Sequence, residues 1–310
     1  MAVAAVALDL LLVAAAVVAL WYGGLRFVES ASALARRLGV SDLVIGLTVV
    51  GFGTSLPEFA VTLDAAVVGR ADIAVGNVVG SNVFNLGLVL GAVALFGSVT
   101  VSRTLVRRDG SAVVASTVLA GLVCWDLTVT RLEAGLLFAA FLSYLLLVVI
   151  REVQGEPAAG ATEAATLRTG LTLVVGLASI VLGANLMVGS AADLARVVGL
   201  SEWEIGETVV AAGTSSPEFV ASLAAARRGF GDVAAGNLLG SSVFNLLGVL
   251  GLAGLLVPLS VAPAAATSLV WLLGLSALAV VLLATGGGIS RIEGVPLVLV
   301  SVAKWVVDLV

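Results

Sequence analysis

Residues 45–91, IGLTVVGFGTSLPEFAVTLDAAVVGRADIAVGNVVGSNVFNLGLVLG, return without a gap at 205–251 as IGETVVAAGTSSPEFVASLAAARRGFGDVAAGNLLGSSVFNLLGVLG, each residue 160 positions from its copy. The offset extends beyond this stretch. Ala31, Leu34, Ala35, Arg36, Gly39 and Ser41 match Ala191, Leu194, Ala195, Arg196, Gly199 and Ser201, and Arg131 and Glu133 match Arg291 and Glu293. The chain therefore reads as two copies of one unit. Each copy holds one member of a matched glutamate pair, Glu58 or Glu218, inside an otherwise apolar segment, followed by the matched pairs Asn77/Asn237, Ser81/Ser241 and Asn85/Asn245.

Composition sets the solvent for this unit. With 60% hydrophobic and 11% charged residues and a mean hydropathy of +1.20, no soluble fold could cover so much apolar surface, and the chain reads as a polytopic membrane protein. On the requirement of roughly 20 residues per crossing, about ten spans are expected, near 3–24, 42–68, 72–97, 110–127, 131–150, 169–190, 203–226, 232–257, 265–285 and 290–309. The N-terminal apolar run carries Asp9, lacks a basic leader and enters a repeat unit, so it reads as the first span rather than a signal peptide. The one long polar stretch, REVQGEPAAGATEAATLR, divides the chain into a first repeat (1–150), a linker (151–168) and a second repeat (169–310). Five spans is an odd number, so the second repeat enters the membrane from the opposite side. The expected fold is an all-α polytopic membrane protein, with ten transmembrane helices in two inverted-topology five-helix repeats.

Orientation comes from the basic residues. Loops on one side hold Arg36, Arg37, Arg103, Arg107, Arg108, Arg151, Arg168, Arg227, Arg228 and Arg291, and the other side holds Arg70, Arg131, Arg196 and Lys304. This bias places the first set in the cytoplasm and both termini outside the cell membrane. No segment is polar enough for an added soluble domain. Cys124, the single cysteine, sits in an apolar run as a packing residue. His is absent, which removes the commonest proton relay. Neither a Ser/Lys nor an Asp pair suited to intramembrane hydrolysis is present, so an enzyme is not expected, and neither a cofactor nor nucleic-acid binding is implied.

The motif chemistry points to a cation. Pro57 has no N–H and crowds the carbonyl of Gly53, so the helix opens there, and Pro217 and Gly213 repeat the arrangement. Thr54 lies one turn before Glu58, and Thr214 one turn before Glu218. Ser81 and Asn85, like Ser241 and Asn245, are four apart and add a hydroxyl and an amide oxygen to one face. Carboxylates, hydroxyls, amide oxygens and freed carbonyls are hard ligands of the kind that Ca²⁺ and Na⁺ prefer. An acidic residue at a helix centre costs about 2.5–3.5 kcal/mol on insertion scales. No Arg or Lys stands nearby in sequence to offset two of them, so the counter-charge is a bound cation or a proton. Asn77, Asn237, Asn82, Ser242, Gly80 and Gly240 fit helix packing as well as they fit a site. Asp72 and Asp232 each come after a short turn and are expected as helix N-caps. Asp64 faces Ala224 across the repeat and Glu207 faces Leu47, which marks both as peripheral; Asp9 and Asp126 lie near span ends.

GTSLPE followed by GNVVGSNVFN, and GTSSPE followed by GNLLGSSVFN, resemble the two repeats of the cation/calcium exchanger superfamily, in its sodium/calcium exchanger branch, and the ten-span layout extends the resemblance over the chain. It implies an inverted-repeat antiporter whose spans 2, 3, 7 and 8 surround the ions while spans 1 and 6 slide across them. Carried over, Glu58 and Glu218 are the shared Ca²⁺/Na⁺ carboxylates, aided by the carbonyls of Thr54 and Thr214. Further Na⁺ positions use Gly51, Thr54, Ser55 and Ser81 on one side and Ala211, Thr214, Ser215 and Ser241 on the other, with Asn85 and Asn245 at the middle. Relatives commonly carry Asp where this chain has Asn245. The expected activity is Ca²⁺/Na⁺ exchange by a monomer in lipid, through competition for the two glutamates. Two alternatives are H⁺/Ca²⁺ exchange, in which protonation of the glutamates releases Ca²⁺, and a passive cation channel.

Overall fold

The computed structural model describes residues 2–37, 53–97, 99–153 and 167–309. Helix α1 runs Ala2–Arg37, so the semi-polar stretch after the first expected span continues as helix. Residues 42–52 of the second expected span lie outside the described residues, and its described part is α2, Leu56–Val67. Then come α3 (Ala71–Phe96); α4, formed by Arg103–Leu105, π-helical Val106–Gly110 and Ser111–Val123; α5 (Arg131–Val153); and α6 (Leu167–Val198). In the second half α7 is built of Glu202–Ile205, π-helical Gly206–Val210 and Ala211–Thr214. It is followed by α8 (Ser216–Arg227), α9 (Gly231–Leu256), α10 (Ala264–Thr285) and α11 (Arg291–Leu309). Among the described residues six helices are long and apolar enough to cross a membrane: residues 6–30 of α1, α3, residues 131–148 of α5, α6, α9 and α10.

Local chemistry sets the breaks. Ser55 and Ser215 stand at the N-caps of α2 and α8, and the next-but-one residues Pro57 and Pro217 fall in the first turn, where a missing N–H costs nothing. Each proline thus starts a helix rather than bending one. At the other ends, Gly69 (φ 80°) and Gly229 (φ 81°) take the left-handed conformation that glycine adopts without strain. Their neighbours close matching loops, Arg70 N to Ala65 O at 2.7 Å and Phe230 N to Ala225 O at 3.0 Å. Four two-residue strands tie the loops together: β1 (Val99–Thr100) pairs antiparallel with β4 (Gly288–Ile289), and β2 (Thr128–Val129) with β3 (Leu259–Ser260). β3 is the copy of β1 and β4 the copy of β2, so each half exchanges the same contact with the other.

Packing separates an inner layer from an outer one. The membrane windows of α3 and α9 are both 78% buried, against 22–39% for those of α1, α5, α6 and α10. Helices α1 and α6 lie along each other through small residues. A Cβ on Gly23 would meet the Gly176 carbonyl, and one on Gly183 would meet Leu20 and Ala16. Gly183 is the copy of Gly23 and Gly176 the copy of Ala16, so this crossing is also reciprocal. Cys124 is buried, as expected of a packing residue.

Candidate functional site

The breaks before α2 and α8 bring the two glutamates together, both fully buried. Ser215 Oγ donates to Glu58 Oε1 at 2.8 Å and Ser55 Oγ donates to Glu218 Oε1 at 2.8 Å. Each serine, three residues before one carboxylate, thus serves the other. Ser241 Oγ lies 2.8 Å from Ser55 Oγ. Since the single proton of Ser55 goes to Glu218, Ser241 is the donor in that contact. Ser81 Oγ sits 3.5 Å from Thr214 Oγ1 and 3.5 Å from Asn77 Oδ1. Among the described residues neither Glu58 nor Glu218 forms an ion pair.

Asn77 and Asn237 brace this cluster. Thr214 Oγ1 donates to Asn77 Oδ1 at 3.0 Å and Thr54 Oγ1 to Asn237 Oδ1 at 3.2 Å. The amide nitrogens donate onward, Asn77 Nδ2 to Thr62 Oγ1 at 2.9 Å and Asn237 Nδ2 to Ser222 Oγ at 3.1 Å. All of these partners are copies of one another. Sequence left the two asparagines undecided between packing and site; their bonded amides make them the clamps that hold Thr54 and Thr214 across the break. Thr62 and Ser222 are a further matched pair of the repeat, without a charge or motif of their own to mark them in the sequence.

Asn85 and Asn245 sit in π-helical segments, Phe84–Val89 of α3 and Phe244–Val249 of α9. Both side chains are fully buried, and neither the oxygen nor the nitrogen of either amide has a hydrogen-bond partner. Glu58 Oε2 and Glu218 Oε2 are likewise buried and unbonded. A buried polar atom without a partner costs about 1–3 kcal/mol, and native interiors hold few of them. Here four of the hard oxygens fall on two pairs of repeat copies, Glu58 with Glu218 and Asn85 with Asn245.

The remaining expected residues divide between the cluster and its surroundings. Thr54, Ser55, Thr214 and Ser215 all border the cluster. Ala211 is buried near it, but its carbonyl already accepts from Ser215 N at 3.0 Å and Thr214 Oγ1 at 3.2 Å. Gly51 lies outside the described residues. Asp72 and Asp232 are not N-caps. Arg70 and Phe230 hold those positions, without a side-chain cap, and Asp232 instead accepts from Ser102 N at 2.7 Å, while Asp72 bonds the backbone of Ala262, the copy of Ser102. Each aspartate therefore fastens a loop of the opposite half. Asp64 accepts from Asn185 Nδ2 at 2.7 Å, linking α2 to α6. Glu207 is buried rather than peripheral.

Two open cavities among the described residues lie away from the carboxylates. One of about 490 Å³ opens between α4 and α5 over Val243 and Leu247, and one of about 510 Å³ lies at Val101, Arg103 and Leu283–Gly287. The carboxylates of Glu58 and Glu218 are themselves buried.

Comparison with known proteins gives a consistent outcome. Residues 8–150 and 169–303 match the sodium/calcium exchanger protein family. CaxA of Alkalimonas amylolytica is 37% identical over 286 residues, covering 87% of this chain and 88% of that protein. The sodium/calcium exchanger MaX1 of Methanosarcina acetivorans is 33% identical over 325 residues, covering 91% and 93%. A structure of the sodium-calcium exchanger NCX_Mj, soaked with 10 mM Na⁺ and 10 mM Sr²⁺, superposes with a TM-score of 0.69 at 29% identity, covering 96% of this chain and 98% of that one.

Proposed function

Because the chain belongs to the sodium/calcium exchanger protein family and is a membrane antiporter rather than an enzyme, we propose that it exchanges Ca²⁺ for Na⁺ by alternating access, with Glu58 and Glu218 as ligands shared by both ions. The observation that carries this reading is the matched set of unbonded buried oxygens, Glu58 Oε2, Glu218 Oε2, Asn85 Oδ1 and Asn245 Oδ1. Two carboxylates balance one Ca²⁺ or two Na⁺, and Ca²⁺ takes six to eight oxygens of this kind. The hydroxyls of Ser55, Ser81, Ser215 and Ser241 and the carbonyls of Thr54 and Thr214 supply the rest. Gly51 and Ala211 complete the proposed Na⁺ positions. With Asn245 in place of a third carboxylate, the cluster's charge is exhausted by one divalent ion, so occupancy by Ca²⁺ and by Na⁺ excludes each other.

The architecture proposed around it has ten spans, counting α2 with residues 42–52 as one and α7 with α8 as one broken span. Two repeats, 1–150 and 169–310, flank a linker at 151–168 and face opposite ways in the membrane. The swapped β pairs, the exchanged Ser–Glu bonds and the α1–α6 crossing support a two-fold relation between them. In this reading the protein works as a monomer in the lipid of the cell membrane, with both termini outside. In this scheme α1 and α6, joined by small residues, slide as a pair over the inner layer.

Calcium uptake into everted membrane vesicles under imposed gradients tests the coupling. An outward-directed Na⁺ gradient applied to vesicles is expected to drive ⁴⁵Ca²⁺ entry. Uptake that ignores Na⁺ and tracks a proton gradient would assign H⁺ as the counter-ion, and uptake needing no gradient would point to a channel.

A further inference from the structure

The ion cluster accounts for Glu58 and Glu218 but leaves a second buried set of charges unused. Lys304, the chain's single lysine, is 1% exposed, and its Nζ lies 3.1 Å from Glu207 Oε1, a side chain that is fully buried. That contact is an ion pair without hydrogen-bond alignment, since Glu207 Oε1 accepts no hydrogen bond. Glu207 Oε2 accepts from Trp203 Nε1 at 2.8 Å and Ser268 Oγ at 3.0 Å. Lys304 Nζ also donates to both oxygens of Asp308, which is partly exposed. Helices α7, α10 and α11 thus meet on one carboxylate. The copies of Glu207 and Lys304 in the first half are Leu47 and Tyr144, so the pair is not part of the repeated design.

Its position in α7 gives it consequence. Glu207 lies in the π-helical turn Gly206–Val210, and such turns are uncommon within α-helices and frequently fall at functional sites. Thr208 Oγ1 bonds the Glu204 carbonyl at 2.6 Å, and the backbone of Glu207 presses on Gly80 of α3 so closely that a Cβ there would overlap its carbonyl oxygen. One residue of helix corresponds to about 100° of rotation, so conversion of this turn to α-helix would swing the next segment of the chain. That segment, Ala211–Thr214 with Ser215, carries the hydroxyls that meet Asn77 and Glu58. Replacing a buried ion pair by apolar residues is often neutral or stabilising, so stability alone does not explain this one.

We propose that Glu207 and Lys304 are positioning residues for the cation site: their ion pair holds the π-turn of α7 in the register that aims Thr214 and Ser215 at Asn77 and Glu58. The inference rests on the reading of Glu58 and Glu218 as cation ligands. Neither Glu207 nor Lys304 touches the transported ion in this scheme.

The test uses the full chain carrying Glu207→Leu together with Lys304→Leu, because removing one partner alone strands a charge. Three quantities are compared with wild type in detergent: the unfolding temperature, the amide exchange rates of residues 206–214, and the Ca²⁺ dissociation constant by calorimetry. The expected result is an unfolding temperature equal or higher, faster exchange across 206–214, and Ca²⁺ bound about ten-fold more weakly, as for other groups that orient metal ligands. Lys304→Arg, which keeps the pair, is expected to bind Ca²⁺ as wild type does. Wild-type exchange and wild-type affinity in the double variant would overturn the proposal, as would a loss of affinity that merely tracks a fall in unfolding temperature. If the wild-type chain binds no Ca²⁺, the functional reading fails, and the exchange rates still decide whether the pair holds the turn.

Discussion

Ser55 and Ser215 make the same bond, at the same 2.8 Å, to each other's glutamate, yet the equivalent positions Gly87 and Leu247 pack in opposite ways. At Gly87 helix α11 comes so near that an added Cβ would overlap Ser301 Oγ, which itself bonds Val83 O at 3.0 Å. At Leu247 the copy of Ser301 is Phe141, and a cavity of about 490 Å³ opens beside Leu247, although α5 and α9 still meet closely one turn on, where a Cβ on Gly251 would meet Phe138 N. The copies of Lys304 and Glu207 differ in the same manner: Tyr144 donates to Asp109 Oδ1 at 2.9 Å, next to Arg108. Residues at the cluster meet their own copies' partners, so the two halves share one chemistry there. Away from it equivalent helices still meet, Gly91 against Gly294 of α11 and Gly251 against Ala134 of α5, and the halves differ in the side chains that fill each contact.

The largest effect should come from the shared part. Glu58→Gln and Glu218→Gln are each expected to abolish Ca²⁺ uptake, a loss beyond the roughly 100-fold that changes around a metal site's ligands produce, while leaving a folded protein. The two losses should be equal. Transport retained in either variant would end the shared-carboxylate model, and a large inequality would show that the halves do not contribute alike. Ser215→Ala removes one hydrogen bond to a buried carboxylate, and Ser55→Ala removes the matching bond together with the contact to Ser241. Each bond to a carboxylate is expected to contribute about 1.5–3 kcal/mol, measured by thermal unfolding without Ca²⁺, with the loss at Ser55 the larger.

Much of this was legible before any coordinates. The 160-residue offset paired Glu58 with Glu218 and Asn85 with Asn245, and the prolines marked both breaks. What sequence could not supply was reach between distant segments. Asp72 and Asp232 stand where N-caps stand, yet their carboxylates cross to loops of the other half, at Ala262 and Ser102, because the halves interlock there. Glu207 looked isolated because Lys304, its partner, lies on α11 and becomes a neighbour only through packing. The π-helical segments at Asn85, Asn245 and Glu207 carry no periodic signal short enough to separate them from ordinary helix. A small difference within the motif itself was also silent: Ser216 Oγ bonds the Gly213 carbonyl that Pro217 leaves free, at 2.8 Å, whereas Leu56 in the first copy offers no hydroxyl to Gly53.

The packing difference makes a sharper contrast than the cluster does. Gly87→Ala pushes a methyl group into Ser301 and should cost about 1–3 kcal/mol by overpacking. Leu247→Met at the equivalent position keeps its volume beside a cavity and should cost under about 1.5 kcal/mol. Thermal unfolding of both variants checks the ordering. Equal losses would mean that the cavity beside Leu247 does not relieve crowding, and that the two helix contacts are more alike than their geometry.

The smallest effect is expected at a contact that the repeat does not duplicate. Arg70 pairs with Glu202 across the α2–α3 turn and the start of α7, both side chains being about one-third exposed or less. The copy of Glu202 is Asp42, still an acid, but the copy of Arg70 is Phe230, so the base is present once. Partly exposed pairs of this kind contribute about 0–1 kcal/mol. Arg70→Gln should therefore lower stability by no more than about 1 kcal/mol, and raising the salt concentration should shrink the difference from wild type, because screening weakens exposed charges first. A larger, salt-insensitive loss would mean that this unduplicated ion pair locks the start of α7 as the buried Glu207–Lys304 pair is proposed to do, and that α7 is held by two charged anchors that the repeat does not copy.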